Sequence, residues 1–330
     1  MSEIYRKIGT SLRYERRGSS LATVRSSEHG EAAISDGVFR AQTLNSSLGG
    51  ETIEWNLDAF HQRIEDAVHP SLAIERATLV EGVADHWWTD GEQERTWSEK
   101  SARAHITVTN LIRRIRASCD LGAATSETID LAPLSMMSDA LCSYSTDAPP
   151  PGPSIVLLEA AVTAELLPRL LDSFERGNSL REQPASLVRQ GSHPEFALDG
   201  TGAPIRAADI LDENGSVSLP NVFRPSYRSR PIRAPFHLEL TGGEKTAAVA
   251  DLAAVAVLSP FIVNQRGIEG SLLLQRIDRA GAFAATVSIT IEDSFEVFLA
   301  GESRQWFPVG AGSYGQRVVL RGVTLRPIRD

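Results

Sequence analysis

The chain has 330 residues, 42% of them hydrophobic and 23% charged, which suits a soluble globular protein whose core needs no disulfide or structural metal. Its 33 Lys and Arg against 42 Asp and Glu leave a net charge of -9, which opposes phosphate backbones and anionic lipid heads and argues against nucleic-acid or membrane partners. Cys119 and Cys142, with 22 residues between them, form neither a metal knuckle nor a disulfide framework, and they read as reduced thiols of a cytoplasmic protein. No apolar run approaches the roughly 20 residues needed to cross a bilayer. The opening MSEIYRKIGTSLRYERR has no apolar core behind its basic residues, so the expected location is the cytoplasm.

Residues 10–45 alternate polar and apolar side chains, with Gly18, Gly30 and Gly37 dividing them into three or four short hairpin strands. Leu57, Phe60, Ile64 and Val68 recur at three- and four-residue steps and predict an amphipathic helix, with Asn56 as N-cap and Pro70 as stop. Residues 72–116 return to strand patterning around a hairpin turn at Asp90–Gly91. Ala104, Ile106 and Val108 alternate as in a half-buried strand, and Arg113, Arg114 and Arg116 read as the solvated end of an element. Asp130 should cap a short helix that gathers Leu131, Leu134 and Leu141 on one side.

The run STDAPPPGPS, Ser145 to Ser154, can continue neither helix nor ladder, because proline lacks the amide hydrogen. It divides the chain into residues 1–148 and 149–330. After it, SIVLL predicts a buried strand. A helix follows from about Glu159 to Arg176, with Val162, Leu166, Leu170 and Phe174 in register and Pro168 expected to kink or split it. From Phe196 onward, short β-like runs such as GSLLLQRID, FAATVSITIED and RVVLRGVTLRPI predict an antiparallel or barrel-like half. The fold class is therefore α+β: N-terminal hairpins plus helices, then a β-rich C-terminal domain.

Several constellations could carry chemistry and are better explained otherwise. His61, Glu65 and His69 recur every four residues but flank the apolar stripe, where solvated residues belong. His237 and Glu239 fit an exposed pair on one side of a strand, and His193 fits a loop. The segment AGSYG around Ser313 misses the nucleophile-elbow pattern, because Ala311 stands where glycine is required. TGGEKT lacks the spacing of a phosphate-binding loop.

The order of segments after Leu72 resembles the TldD/TldE (PmbA) peptidase family. ERATLVEGVADHWWTDGEQERTWSEKSARAHITVT is similar to that family's middle region, and PPPGPSIVLLEAAVTAELLPRLLDSF to the proline–glycine entry, buried strand and helix that open its C-terminal domain. FALDGTGAPIRAADILDENG is similar to its acidic-glycine turn, RPSYRSRPIRAPFHLELTGGE to its Arg-x-Ser-Tyr-Arg segment, and VVLRGVTLRPIRD to its closing strand. The resemblance is to a shortened member, with the N-terminal helical part reduced.

In that family's catalytic subunit, a His-Glu-x-x-x-His motif supplies two imidazoles and a general base, and a downstream thiolate completes a zinc site with one position open for water. The matching window here is Leu158-Glu159-Ala160-Ala161-Val162-Thr163. Leu158 and Thr163 stand at the two histidine positions, and both cysteines precede the window. Glu159 then reads as a first-turn glutamate favoured by the helix dipole. The resemblance thus implies a metal-free, TldE-type subunit with no cofactor of its own. Zinc is expected in a TldD-like partner of a hetero-oligomer, and the two chains would enclose a chamber for small or unfolded peptides. Ser226, Tyr227, Arg228, Arg230 and Arg233 are the candidate substrate or partner surface. The alternatives are a metal-free peptide-binding pseudoenzyme acting without a catalytic partner, and a stand-alone enzyme with a different site.

Overall fold

The computed structural model describes residues 3–17, 20–35, 38–45, 57–175, 188–191, 197–199, 202–210, 223–224, 232–233, 237–240, 250–264, 267–278, 280–290, 297–309 and 312–328. The first sheet uses six strands: β1 (Glu3–Arg17), β2 (Ser20–Ser35), β3 (Val38–Asn45), β4 (Ala73–Thr89), β5 (Glu94–Asn110) and β6 (Ile115–Ala123). Their order is β3-β2-β1-β4-β5-β6, and every neighbouring pair is antiparallel. Gly30 does not end a strand as predicted. It lies inside β2, beside a register shift at His29 that absorbs the irregularity against β3. The Asp90–Gly91 turn is present, with Asp90 Oδ1 accepting the amides of Glu92 at 2.9 Å and Gln93 at 2.7 Å while Gly91 takes φ of 92°.

Strand alternation decides which face of this sheet is apolar. Ala104, Ile106 and Val108 of β5 and their partners Leu121, Cys119 and Ala117 of β6 are all buried. They share one apolar cluster with Phe60, Ile64 and Val68 of α1 (Leu57–Ala67) and its end, and with Leu134, Met137 and Leu141 of α2 (Ala132–Cys142). The alternate residues His105, Thr107, Ser118 and Asp120 carry polar groups to the opposite face. Asn56, the predicted cap of α1, lies outside the described residues. At α2 the N-cap is Leu131 rather than Asp130, and Asp130, one residue earlier, accepts the amide of Ala132 at Oδ1 at 2.9 Å.

The proline run leads into β7 (Pro153–Leu158), which feeds directly into α3 (Ala160–Glu175). Pro168 sits inside α3 without splitting it. The helix forfeits one main-chain bond there, and burial of Val162, Leu166, Leu167, Leu170 and Leu171 on both sides of the proline offsets that loss. The remaining strands are β8 (Val188–Gln190), β9 (Ala208–Asp209), β10 (Phe223–Arg224), β11 (Ile232–Arg233), β12 (Leu238–Leu240), β13 (Leu252–Asn264), β14 (Gly267–Arg276), β15 (Ala282–Thr290), β16 (Val297–Phe307) and β17 (Ser313–Pro327).

Five of these strands close a barrel. β7, β13, β14 and β15 follow one another, and β15 pairs back through Ala285–Ser288 onto Thr324–Pro327 of β17, whose middle pairs with β7. Most contacts are antiparallel, but β7 runs parallel to β13, and β12 parallel to β17. Val156, Leu158, Leu272, Leu274, Ala285, Val287, Val318 and Leu320 fill one core together with the apolar stripe of α3. Alternate barrel residues, including Leu157, Ala253, Leu273 and Val319, belong instead to the cluster containing Ile106, Leu121 and Met137. One apolar layer therefore joins the barrel's outer wall to the first sheet and its helices. The architecture is α+β with a β-rich, barrel-like C-terminal half, the class that the patterning predicts.

Candidate functional site

The junction of β7 and α3 holds the three positions singled out by the family resemblance. Leu158 ends β7 with no exposure and belongs to the barrel core. Glu159 donates its amide to the Ala254 carbonyl at 3.0 Å and accepts the Thr163 amide at its own carbonyl, also at 3.0 Å. It therefore precedes the first helical residue rather than lying in the first turn, and its Oε1 accepts from Arg317 of β17 at 3.0 Å. That ion pair, rather than the helix dipole alone, accounts for the buried glutamate. Thr163 is fully buried, and among the described residues its hydroxyl has no hydrogen-bond partner. A leucine side chain offers no lone pair, a threonine hydroxyl is a poor zinc ligand, and Glu159 is committed to a guanidinium. This donor set does not fit zinc. Among the described residues, no group of three or more His, Cys, Asp and Glu side chains gathers as metal ligands.

β17 passes close over the start of α3. Ser313 is fully buried with a hydroxyl that finds no partner among the described residues, and Gly315 abuts the Ala160 carbonyl. Ser313 begins a strand instead of occupying a strand-to-helix elbow, as its sequence context predicts. Beside it, His237 and Glu239 correct the reading of an exposed pair: each is only 2% exposed. Trp306 of β16 donates its indole N–H to His237 Nδ1 at 3.0 Å, and Arg189 of β8 donates to Glu239 Oε1 at 2.5 Å. His237 also has φ of 50°, so its backbone is strained into the left-handed region beside the strand.

A second polar cluster lies where α3 meets the edge strand β6. His105 Nδ1 donates to Asp120 Oδ1 at 2.8 Å, and Thr107 Oγ1 lies 3.4 Å from His105 Nε2 and 2.8 Å from Ser118 Oγ. The Asp120 carboxylate raises the pKa of His105 above the usual imidazole value. Burial, reinforced by the negative charge of Asp120, pushes Glu165 of α3 up to about 7. A cavity of about 10 Å³ lies between them, lined by Ser118, Cys119, Asp120, Met137, Val162, Glu165 and Val255, among others, and has room for one water. Burial also raises the Cys119 thiol pKa, which makes it a poor nucleophile. Sequence reasoning missed this cluster. The alternation of β5 and β6 could have placed His105 and Asp120 together on the polar face, but nothing local shows that α3 returns beside them.

The helical stripe His61, Glu65 and His69 does not converge as ligands. His61 packs against the first sheet with Nδ1 2.8 Å from the Tyr14 hydroxyl, Glu65 accepts from Arg16, and His69 turns away to Ser71. Cys119 and Cys142 are free thiols. Ser226, Tyr227, Arg228, Arg230 and His193 lie outside the described residues. Arg233 contributes backbone to the β10–β11 pairing. Among the described residues, no helix is long and apolar enough to cross a membrane.

Comparison with known proteins bears on the fold. No family model and no curated protein sequence matches the chain. Solved structures do share its fold, and two of them are named as proposed modulators of DNA gyrase. The one from Bacteroides thetaiotaomicron superposes with TM-score 0.65 at 11% identity, covering 99% of this chain and 94% of that one. The one from Thermotoga maritima gives 0.61 at 13% identity, with 98% and 95% covered. The chain also shares the fold of TldE from Thermococcus kodakarensis, with TM-score 0.71 at 9% identity over 98% of this chain and 96% of that one. The shared fold covers nearly the whole chain, including the hairpins ahead of residue 72.

Proposed function

We propose that this chain is the non-catalytic, TldE-type member of a TldD/TldE-like metallopeptidase assembly acting in the cytoplasm on small or unfolded peptides. The observation that carries the reading is the fold shared with TldE over nearly the whole of both chains. The sequence resemblance adds support, since it sets Leu158 and Thr163 at the positions where the zinc-bearing subunit carries imidazoles. In this reading zinc and the general base belong to a TldD-like partner, and this chain supplies chamber wall. The segment with Ser226, Tyr227, Arg228, Arg230 and Arg233 is proposed to face peptide or partner, because arginine and tyrosine bind carboxylates and pack well at interfaces.

The test is reconstitution. The purified chain alone should leave unstructured peptides intact. Mixing it with a chain carrying His-Glu-x-x-x-His should give hydrolysis that a chelator abolishes, and a partner with both histidines replaced should give none. Cleavage by this chain alone, surviving removal of contaminating proteases, overturns the proposal. Peptide binding by a self-sufficient homodimer that ignores the zinc-bearing chain would replace it with the pseudoenzyme reading.

A further inference from the structure

The turn joining β5 to β6 is built to present apolar side chains to something outside the chain. Leu111 is 71% exposed and Ile112 is 85% exposed, more than any other large hydrophobic side chain among the described residues. Turns favour Gly, Asn, Asp, Ser and Pro, each for a conformational reason, and this one spends its crest on two aliphatics. Arg114 adopts φ of 53°, a conformation unfavourable for a long side chain. The turn is also braced from beneath. Asn110, 8% exposed, donates from Nδ2 to the Leu141 carbonyl at the end of α2 at 2.8 Å, and its Oδ1 accepts the Arg113 amide at 3.1 Å. A buried amide that ties the crest to a helix end holds Leu111 and Ile112 in place, which lowers the entropy lost on docking.

The charges around the crest define what fits. Arg113 and Arg114 are exposed and form no ion pair among the described residues, and Arg116, 74% exposed, reaches Glu75 only at 3.9 Å. This is a basic rim in a chain of net charge -9. We infer that the Leu111–Arg116 turn is a docking knob for a partner protein that offers an apolar pocket rimmed by carboxylates. A bilayer is the weaker match: the field of the whole chain opposes an anionic surface at long range, whereas ion pairs to a partner's carboxylates form at contact. The inference rests on the proposed subunit role and names the surface through which that role is exercised.

The experiment uses the full chain, the TldD-like chain as ligand, and the variants Leu111→Ser/Ile112→Ser and Arg113→Glu/Arg114→Glu. Titration calorimetry should show affinity about 30-fold weaker for each double variant, the size expected when an interface anchor is removed. Circular dichroism melting should be unchanged, because these side chains contribute nothing to the core. Wild-type affinity in both variants overturns the knob and leaves the subunit role standing. A wild-type chain that binds no TldD-like chain sinks both. Co-sedimentation with phosphatidylserine vesicles that the serine variant abolishes, with partner affinity unaltered, reassigns the turn to a lipid surface and overturns the inference.

Discussion

Gly315→Ala is expected to destabilise the chain by about 3 kcal/mol or more, read as a lower urea midpoint with an unchanged slope. A Cβ at this position would overlap the Ala160 carbonyl oxygen, lie 2.5 Å from the carbonyl carbon and stand 2.9 Å from Phe307 Cε2. Two of those atoms are backbone at the start of α3, so no side-chain rotation relieves the clash. Nor can β17 withdraw. Gly315 pairs with Gln305 of β16, and three residues on Val318 pairs with Leu158 of β7, so the strand is held on both edges. Relief would require α3 to shift, and α3 carries Val162, Leu166 and Leu170 into the barrel core. Gly91→Ala is the control. Its Cβ would meet nothing within 4 Å, but Gly91 has φ of 92°, so the cost should be only about 1 kcal/mol from backbone strain. If Gly315→Ala costs no more than Gly91→Ala, the approach of β17 to α3 is softer than its geometry implies.

The contrast between those two glycines shows how far the sequence could be read. Gly91 follows Asp90 between two alternating strands, so the need for positive φ was visible locally. The stripe Phe60, Ile64 and Val68 and the alternation Ala104, Ile106 and Val108 were visible for the same reason: each element advertises its own period, and the structure buries all six. Gly315 lies in GSYGQRVV, where nothing local shows that a helix start 155 residues earlier crosses overhead. Barrel closure was hidden in the same way, because β15 and β17 find each other across β16. His237 and Glu239 are the sharpest failure. Polar residues at alternate positions look solvated, and the partners that help make their burial tolerable, Trp306 and Arg189 among them, lie 69 and 50 residues away. The β7–α3 junction was placed only by the order of segments resembling a known family, since Leu158 and Thr163 carry no signal of their own.

Glu165→Gln should stabilise the chain above neutral pH and change little in acid. The Glu165 carboxyl is raised from an ordinary 4.5 to about 7, first by burial and then by Asp120, with His105 and Arg169 pulling the other way. Between those two values the folded chain holds a proton that the unfolded chain has released. Ionised Glu165 therefore costs folding stability, in an amount that grows as pH rises from about 4.5 and is complete above about 7. A shift of this size corresponds to on the order of 3 kcal/mol at most. His105 acts in the same direction by the opposite route: its pKa is raised, so its contribution is full below the unfolded value and fades as pH climbs through the folded one. Arg169 cannot neutralise the site fully, because it also donates to Asp172 at 2.9 Å. Urea denaturation at about pH 8 should place Glu165→Gln up to about 3 kcal/mol above the parent, with the two converging towards about pH 4.5. Equal gains at both pH values would mean that the glutamine simply packs better against Met137 and Val255. No gain at alkaline pH would mean that Glu165 swings out to water and the contact of α3 with β6 opens locally.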